Sequence, residues 1–167
     1  MVRNVVWTAV FVFVAAILQS TLLSRIALAG AVPDLALGIV VYVAYLNGLM
    51  TGQVAGFAGG VVLDLISAAP LGLNALVRTL IGAASGLLRG RVVLDFFVMP
   101  MILLAAATLL KALILLLLSL IFRGAVPAYP LAAPVLWAEL LLNVLSAPLL
   151  FAFLRRFDAL LVKKGVV

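Results

Sequence analysis

The chain has 167 residues, 68% hydrophobic and 10% charged, with a mean hydropathy of +1.45; soluble domains run at about 45–50% apolar and about 25% charged, so the composition excludes a water-soluble fold and requires a bilayer. With no histidine and no cysteine, nucleophile systems built on those residues, imidazole or thiolate metal sites and thiol redox pairs are excluded, and no cofactor is expected. The formal charge of +6 sits mainly at the ends of apolar runs, where cytoplasmic retention and lipid headgroups account for it, so the expected partner of these charges is the bilayer and not nucleic acid.

A crossing needs about 20 apolar residues, and six apolar segments follow one another, over 5–23, 35–50, 54–67, 73–88, 98–122 and 131–154. The first begins after Arg3 and is followed by "ALAG" at 27–30, which has the outline of a signal peptide. Its apolar run exceeds the about 7–15 residues of such a region, so a retained first helix is expected. At its end Gln19, Ser20 and Thr21 can cap or hydrogen-bond near the outer surface. The second segment opens on Pro33 and Asp34: proline suits a first helical turn, and an acid there favours the positive end of the helix dipole.

In the third segment Gly52, Gly56 and Gly60 recur every four residues and lead to Asp64, along one ridge of a helix. In the fourth, Arg78 is followed at the same step by Gly82, Gly86 and Gly90. A turn around Leu71 then predicts an antiparallel hairpin in which Asp64 faces Arg78, Gly60 faces Gly82, Gly56 faces Gly86 and Gly52 faces Gly90. Small residues at this spacing let two backbones approach closely, which replaces the hydrophobic drive that lipid does not supply. The competing reading is that glycine is merely common in membrane helices and that the two charges snorkel separately to the surface.

Lys111 in the fifth segment and Glu139 in the sixth are equidistant from Ala125, which predicts a second ion pair. Asn143, one turn from Glu139, is placed to hydrogen-bond across the bundle, and Pro148 predicts a kink. Ionisable groups in a membrane raise the question of a substrate or ion pathway. Here each acid has a basic partner available, so structural pairing is preferred.

With the N-terminus inside and six crossings, Arg3, Arg89, Arg91, Arg155, Arg156, Lys163 and Lys164 fall on the cytoplasmic side and only Arg25 and Arg123 outside. Five crossings would move Arg89 and Arg91 to the side opposite the basic C-terminus, so six are preferred. The expected fold is an all-α integral membrane protein, a six-transmembrane-helix bundle forming one domain over 1–167, with both termini cytoplasmic.

The succession of "LQSTLLS", "PDLALGIVVYVAYLNG", "GFAGGVVLDLIS" and "PLGLNALVRTLIG" over about residues 18–90 resembles the rod shape-determining protein MreD family. Gln19, Pro33, Asp34, Gly56, Gly60, Asp64, Gly72 and Leu73 match its recurrent pattern, as folding or partner-contact positions. The resemblance implies a bacterial inner-membrane protein without known catalysis. It would act beside the bitopic protein MreC in the elongation machinery that links MreB, with RodA and a transpeptidase, to peptidoglycan synthesis. It also implies a fold similar to the substrate-binding subunits of energy-coupling-factor vitamin transporters. Two functions are therefore carried forward: a membrane scaffold, and a transporter's small-molecule-binding subunit with an outer pocket near Asp64, Asn74, Arg78, Lys111 and Glu139.

Overall fold

A computed structural model describes residues 2–21, 27, 30–90, 97–122, 126 and 133–162. The predicted Arg25, Arg91, Arg123, Lys163 and Lys164, the turn at Ala125 and the start of the sixth segment before residue 133 lie outside these. The described secondary structure is helical: α1 (Val2–Thr21), α2 (Leu35–Asn47), α3 (Leu49–Ile66), α4 (Leu73–Leu87), α5 (Val98–Ile121), α6 (Pro134–Arg155) and the short α7 (Asp158–Leu161). Four of them, α1, α3, α5 and α6, are long and apolar enough to cross a membrane, while α2 and α4 are shorter apolar helices.

The distribution of polarity is that of a membrane protein. Leu65 and Leu149 are 75% and 76% exposed, whereas Asn4, Thr8, Thr108, Glu139 and Asn143 are buried. In lipid an outward apolar face loses nothing, and inward polar groups must find partners within the bundle.

The centre is α2. It packs against α1, α3, α4, α5 and α6, and every side chain from Ala36 to Tyr45 is buried. A helix apolar on all sides belongs inside other helices. At 13 residues it is about 20 Å long against a hydrocarbon core of about 30 Å, so its first residue stops below the ends of its longer neighbours.

The boundary between α2 and α3 is a single residue, Gly48, with φ +89°. That left-handed conformation suits glycine, and it starts α3 at Leu49, five residues earlier than the apolar run implied. Arg89 Nη1 donates to the Asn47 carbonyl at 3.0 Å and closes the end of α2. Nearby, Asn4 Nδ2 donates to Asn47 Oδ1 at 3.1 Å and Leu161 O at 3.2 Å. The Tyr42 hydroxyl donates to Asp158 Oδ1 at 2.5 Å. The chain's C-terminal helix is thus tied to the same end of the bundle as its N-terminus.

The α3–α4 hairpin is the closest helix pair. A Cβ built on Gly52 would stand 2.3 Å from Gly82 O, one on Gly56 2.2 Å from Arg78 O, one on Gly60 2.4 Å from Ala75 Cα and one on Gly86 2.7 Å from Leu49 Cα. The helices are antiparallel and glycine-lined, but their register differs from the mirror about Leu71. Gly52 faces Gly82 and not Gly90, Gly56 faces Arg78 and not Gly86, and Gly60 faces Ala75 and not Gly82. Among the described residues nothing lies within 4 Å of the Cβ position of Gly90, and its φ of +72° places it in the turn after α4.

Candidate functional site

Asp64 explains the register. Its Oδ2 accepts from Gly72 N at 3.0 Å and Ala75 N at 3.1 Å, and its Oδ1 accepts from Asn74 N at 2.9 Å and Asn74 Nδ2 at 3.0 Å. The first N–H groups of a helix have no partner within it. Gly72, at the N-cap of α4, has no side chain to offer, so a carboxylate one helix away caps α4 in its place. This draws the first turn of α4 back alongside α3. The predicted Asp64–Arg78 pair is therefore corrected: Asp64 is occupied by three backbone N–H groups and the Asn74 side-chain amide, and Arg78 turns to another acid.

That acid is Asp34. Arg78 Nη2 donates to Asp34 Oδ1 at 3.0 Å and Oδ2 at 3.1 Å. Lys111 Nζ donates to Asp34 Oδ2 at 2.7 Å and Glu139 Oε1 at 2.6 Å. A chain of alternating charge results, Glu139–Lys111–Asp34–Arg78, drawn from α6, α5, the start of α2 and α4. All except Lys111, whose side chain is 20% exposed, have side chains less than one-tenth exposed. Asp34 is also the N-cap of α2, accepting from Leu37 N at 2.9 Å. It performs the predicted helix initiation and, in addition, joins two cations that the linear sequence holds 44 and 77 residues away.

Neutral groups fix the Asp34 backbone. Its N–H donates to Asn143 Oδ1 at 2.6 Å, and Asn143 Nδ2 donates to Thr108 Oγ1 at 2.9 Å. Gln19 Nε2 donates to Pro33 O at 2.8 Å, tying the end of α1 to the residue before the cap. Leu73 opens α4 immediately after the capped turn. The family-pattern positions Gln19, Pro33, Asp34, Asp64, Gly72 and Leu73 thus gather at one end of the bundle, at the start of α2 and the start of α4.

Because α2 stops short, this end is hollow. A recess of about 510 Å³ is lined by Asp34, Arg78, Lys111 and Glu139 below, Gln19, Ser20, Ser67 and Asn74 among its polar walls, and Ala16, Ala31, Val32, Leu63, Ile66 and Val135 among its apolar ones. Of the residues expected around an outer pocket, Asn74, Arg78, Lys111 and Glu139 line it and Asp64 does not. Asp34, expected to start α2, is in addition the junction of the charge network, which the spacing does not indicate, and neither Thr108 nor the Pro33 carbonyl as the acceptor of the expected Gln19 hydrogen bond is indicated there. The available signal was an acid opening the most uniformly apolar segment of the chain.

The remote cap has a measurable consequence. Asp64→Ala is expected to destabilise the protein by about 1–2 kcal/mol, as loss of an N-cap does, lowering the thermal unfolding midpoint of detergent-purified protein. Exchanging the charges as Asp64→Arg with Arg78→Asp is expected to give no rescue. Recovery of the wild-type midpoint by the exchange would mean that the two groups meet directly.

A family model described as rod shape-determining protein MreD matches residues 1–157. No curated protein matches the chain, and no solved structure does.

Proposed function

The chain belongs to the rod shape-determining protein MreD family, and from that premise we propose that it is a non-catalytic scaffold of the bacterial inner membrane. In this reading it is one transmembrane unit crossing six times, with α2 and α4 crossing inside the shelter of the four longer helices and both termini in the cytoplasm. It binds an MreC-like bitopic protein and helps to couple MreB, with RodA and a transpeptidase, to peptidoglycan synthesis. The family match over residues 1–157 carries the reading. The described structure adds support of a physical kind: Asp34, Arg78, Lys111 and Glu139 bind one another, which suits groups that hold a bundle in shape. The glycines at 52, 56, 60, 82 and 86 serve helix packing, and the exposed apolar faces of the outer helices offer a partner's transmembrane segment a surface for van der Waals contact.

Depletion of the protein in its own host is expected to round rod-shaped cells, and a bitopic membrane protein is expected to co-purify with the tagged chain from native membranes. Rods that keep their shape on depletion, with no such partner recovered, would defeat the scaffold. The second reading, a transporter's small-molecule-binding subunit with a fold like that of energy-coupling-factor vitamin transporters, is favoured by the recess over α2. It predicts stoichiometric recovery of a vitamin-sized solute with the purified chain.

A further inference from the structure

The charge chain over α2 is unfinished at one end. It starts with an anion, Glu139, and alternates through Lys111 and Asp34 to a cation, Arg78. Among the described residues, only Nη2 of that guanidinium is engaged. Nε and Nη1 are buried and have no hydrogen-bond partner among the described residues. A guanidinium presents five N–H donors, and buried polar groups in folded proteins are nearly always satisfied. The next member of the alternation is an acceptor, and an anionic one.

The surroundings define what carries it. Arg78 lines the recess, and the recess volume of about 510 Å³ lies within the roughly 300–1,000 Å³ of small-ligand sites. Asn74, one turn nearer the mouth on the same helix, and Ser67 beside it supply polar groups at the rim. The opposite character meets them on the same wall: Leu63 and Ile66 line the recess, and Ile66 is 45% exposed while the neighbouring Leu65 is 75% exposed. One wall is thus continuous with an exposed apolar surface of α3, the kind of surface that lipid covers. An amphiphile can place its head in the recess and leave its chains on α3 without crossing water. The four network charges cancel, two positive against two negative, so a singly charged group is accommodated more easily than a dianion.

We propose that the recess over the start of α2 binds the phosphodiester headgroup of a membrane lipid, with Arg78 as its principal donor. This site goes beyond the scaffold reading and is tested on purified protein, so cell shape and partner recovery do not enter its outcome. Guanidinium is suited to phosphate oxygens because its planar donors match them, which the ammonium of lysine does not.

The full chain is reconstituted in vesicles of phosphatidylglycerol, or of a phosphate-free diacyl glycolipid, then extracted, and its retained lipid is counted by native mass spectrometry. One phosphatidylglycerol per chain is expected, with the glycolipid lost on extraction. Arg78→Lys keeps a positive charge toward Asp34 and removes the fork, and is expected to lower retention about tenfold, the effect of losing roughly one hydrogen bond to a charged group. Val32→Trp, a half-buried lining position outside the charge network, is expected to block the recess and lower retention similarly while leaving the unfolding midpoint near wild type. Equal retention of the glycolipid, or wild-type retention by both variants, overturns the proposal. Displacement of the lipid by millimolar inorganic phosphate also overturns it, since the site would then take the free ion. A vitamin-sized solute bound there in place of lipid does the same.

Discussion

Asp34→Asn is expected to lower stability by about 3–5 kcal/mol, the range found when one partner of a buried ion pair is removed. Two cations rest on this one carboxylate, Arg78 at 3.0 Å and Lys111 at 2.7 Å. Lys111 keeps Glu139 at 2.6 Å when Asp34 is neutralised, but Arg78 keeps no acceptor among the described residues. A buried, uncompensated guanidinium is the costly product, and the loss of the α2 cap adds to it, since Leu37 N also donates to Asp34. Glu139→Gln should be far milder, because Lys111 still has Asp34. Asp34→Asn combined with Arg78→Gln should recover much of the loss, as no net charge is then stranded. Unfolding midpoints of the purified variants in one detergent check the order. Equal losses for Asp34→Asn and Glu139→Gln would show that Asp34 is not the junction of the network.

Alanine at Gly56 is expected to destabilise by about 1–3 kcal/mol or more, despite alanine's advantage of about 1 kcal/mol over glycine within a helix. The new methyl group would lie 2.2 Å from Arg78 O. Backbone cannot swing aside as a side chain does, so α3 and α4 must separate. Separation would also draw Arg78 away from Asp34 and the first turn of α4 away from Asp64. Gly52→Ala and Gly82→Ala meet backbone oxygen at 2.3 and 2.2 Å and should behave alike. Gly38→Ala is the control: its Cβ meets Leu150 Cδ2 at 2.3 Å, the far end of a flexible side chain, so rotation of Leu150 relieves the contact and the change should stay within about 1 kcal/mol. Unfolding midpoints decide it. If Gly56→Ala is no worse than Gly38→Ala, close backbone contact does not hold the hairpin.

The hairpin shows where reading along the chain succeeds and where it fails. The four-residue step of Gly52, Gly56 and Gly60 identified a close helix contact because the step keeps residues on one ridge whatever the neighbour. The register did not follow, since it was reckoned from a symmetric turn. The turn is asymmetric because Asp64 gathers Gly72, Asn74 and Ala75 N–H groups, and a carboxylate's choice between backbone donors and a guanidinium leaves no mark on residue spacing. Lys111 and Glu139 are partners in the structure, at 2.6 Å, although the turn from which their spacing was reckoned lies outside the described residues.

Composition, or a period along one chain, suffices for the membrane setting, the helical elements, the lack of imidazole and thiol groups and the glycine-rich ridges. Which acid meets which base, the central position and shortness of α2, and the hollow over Asp34 come from packing. Spacing along a helix fixes depth and face within that helix alone. An ion pair also requires that two helices be neighbours and be turned toward each other, and those relations are set only when all the helices pack at once.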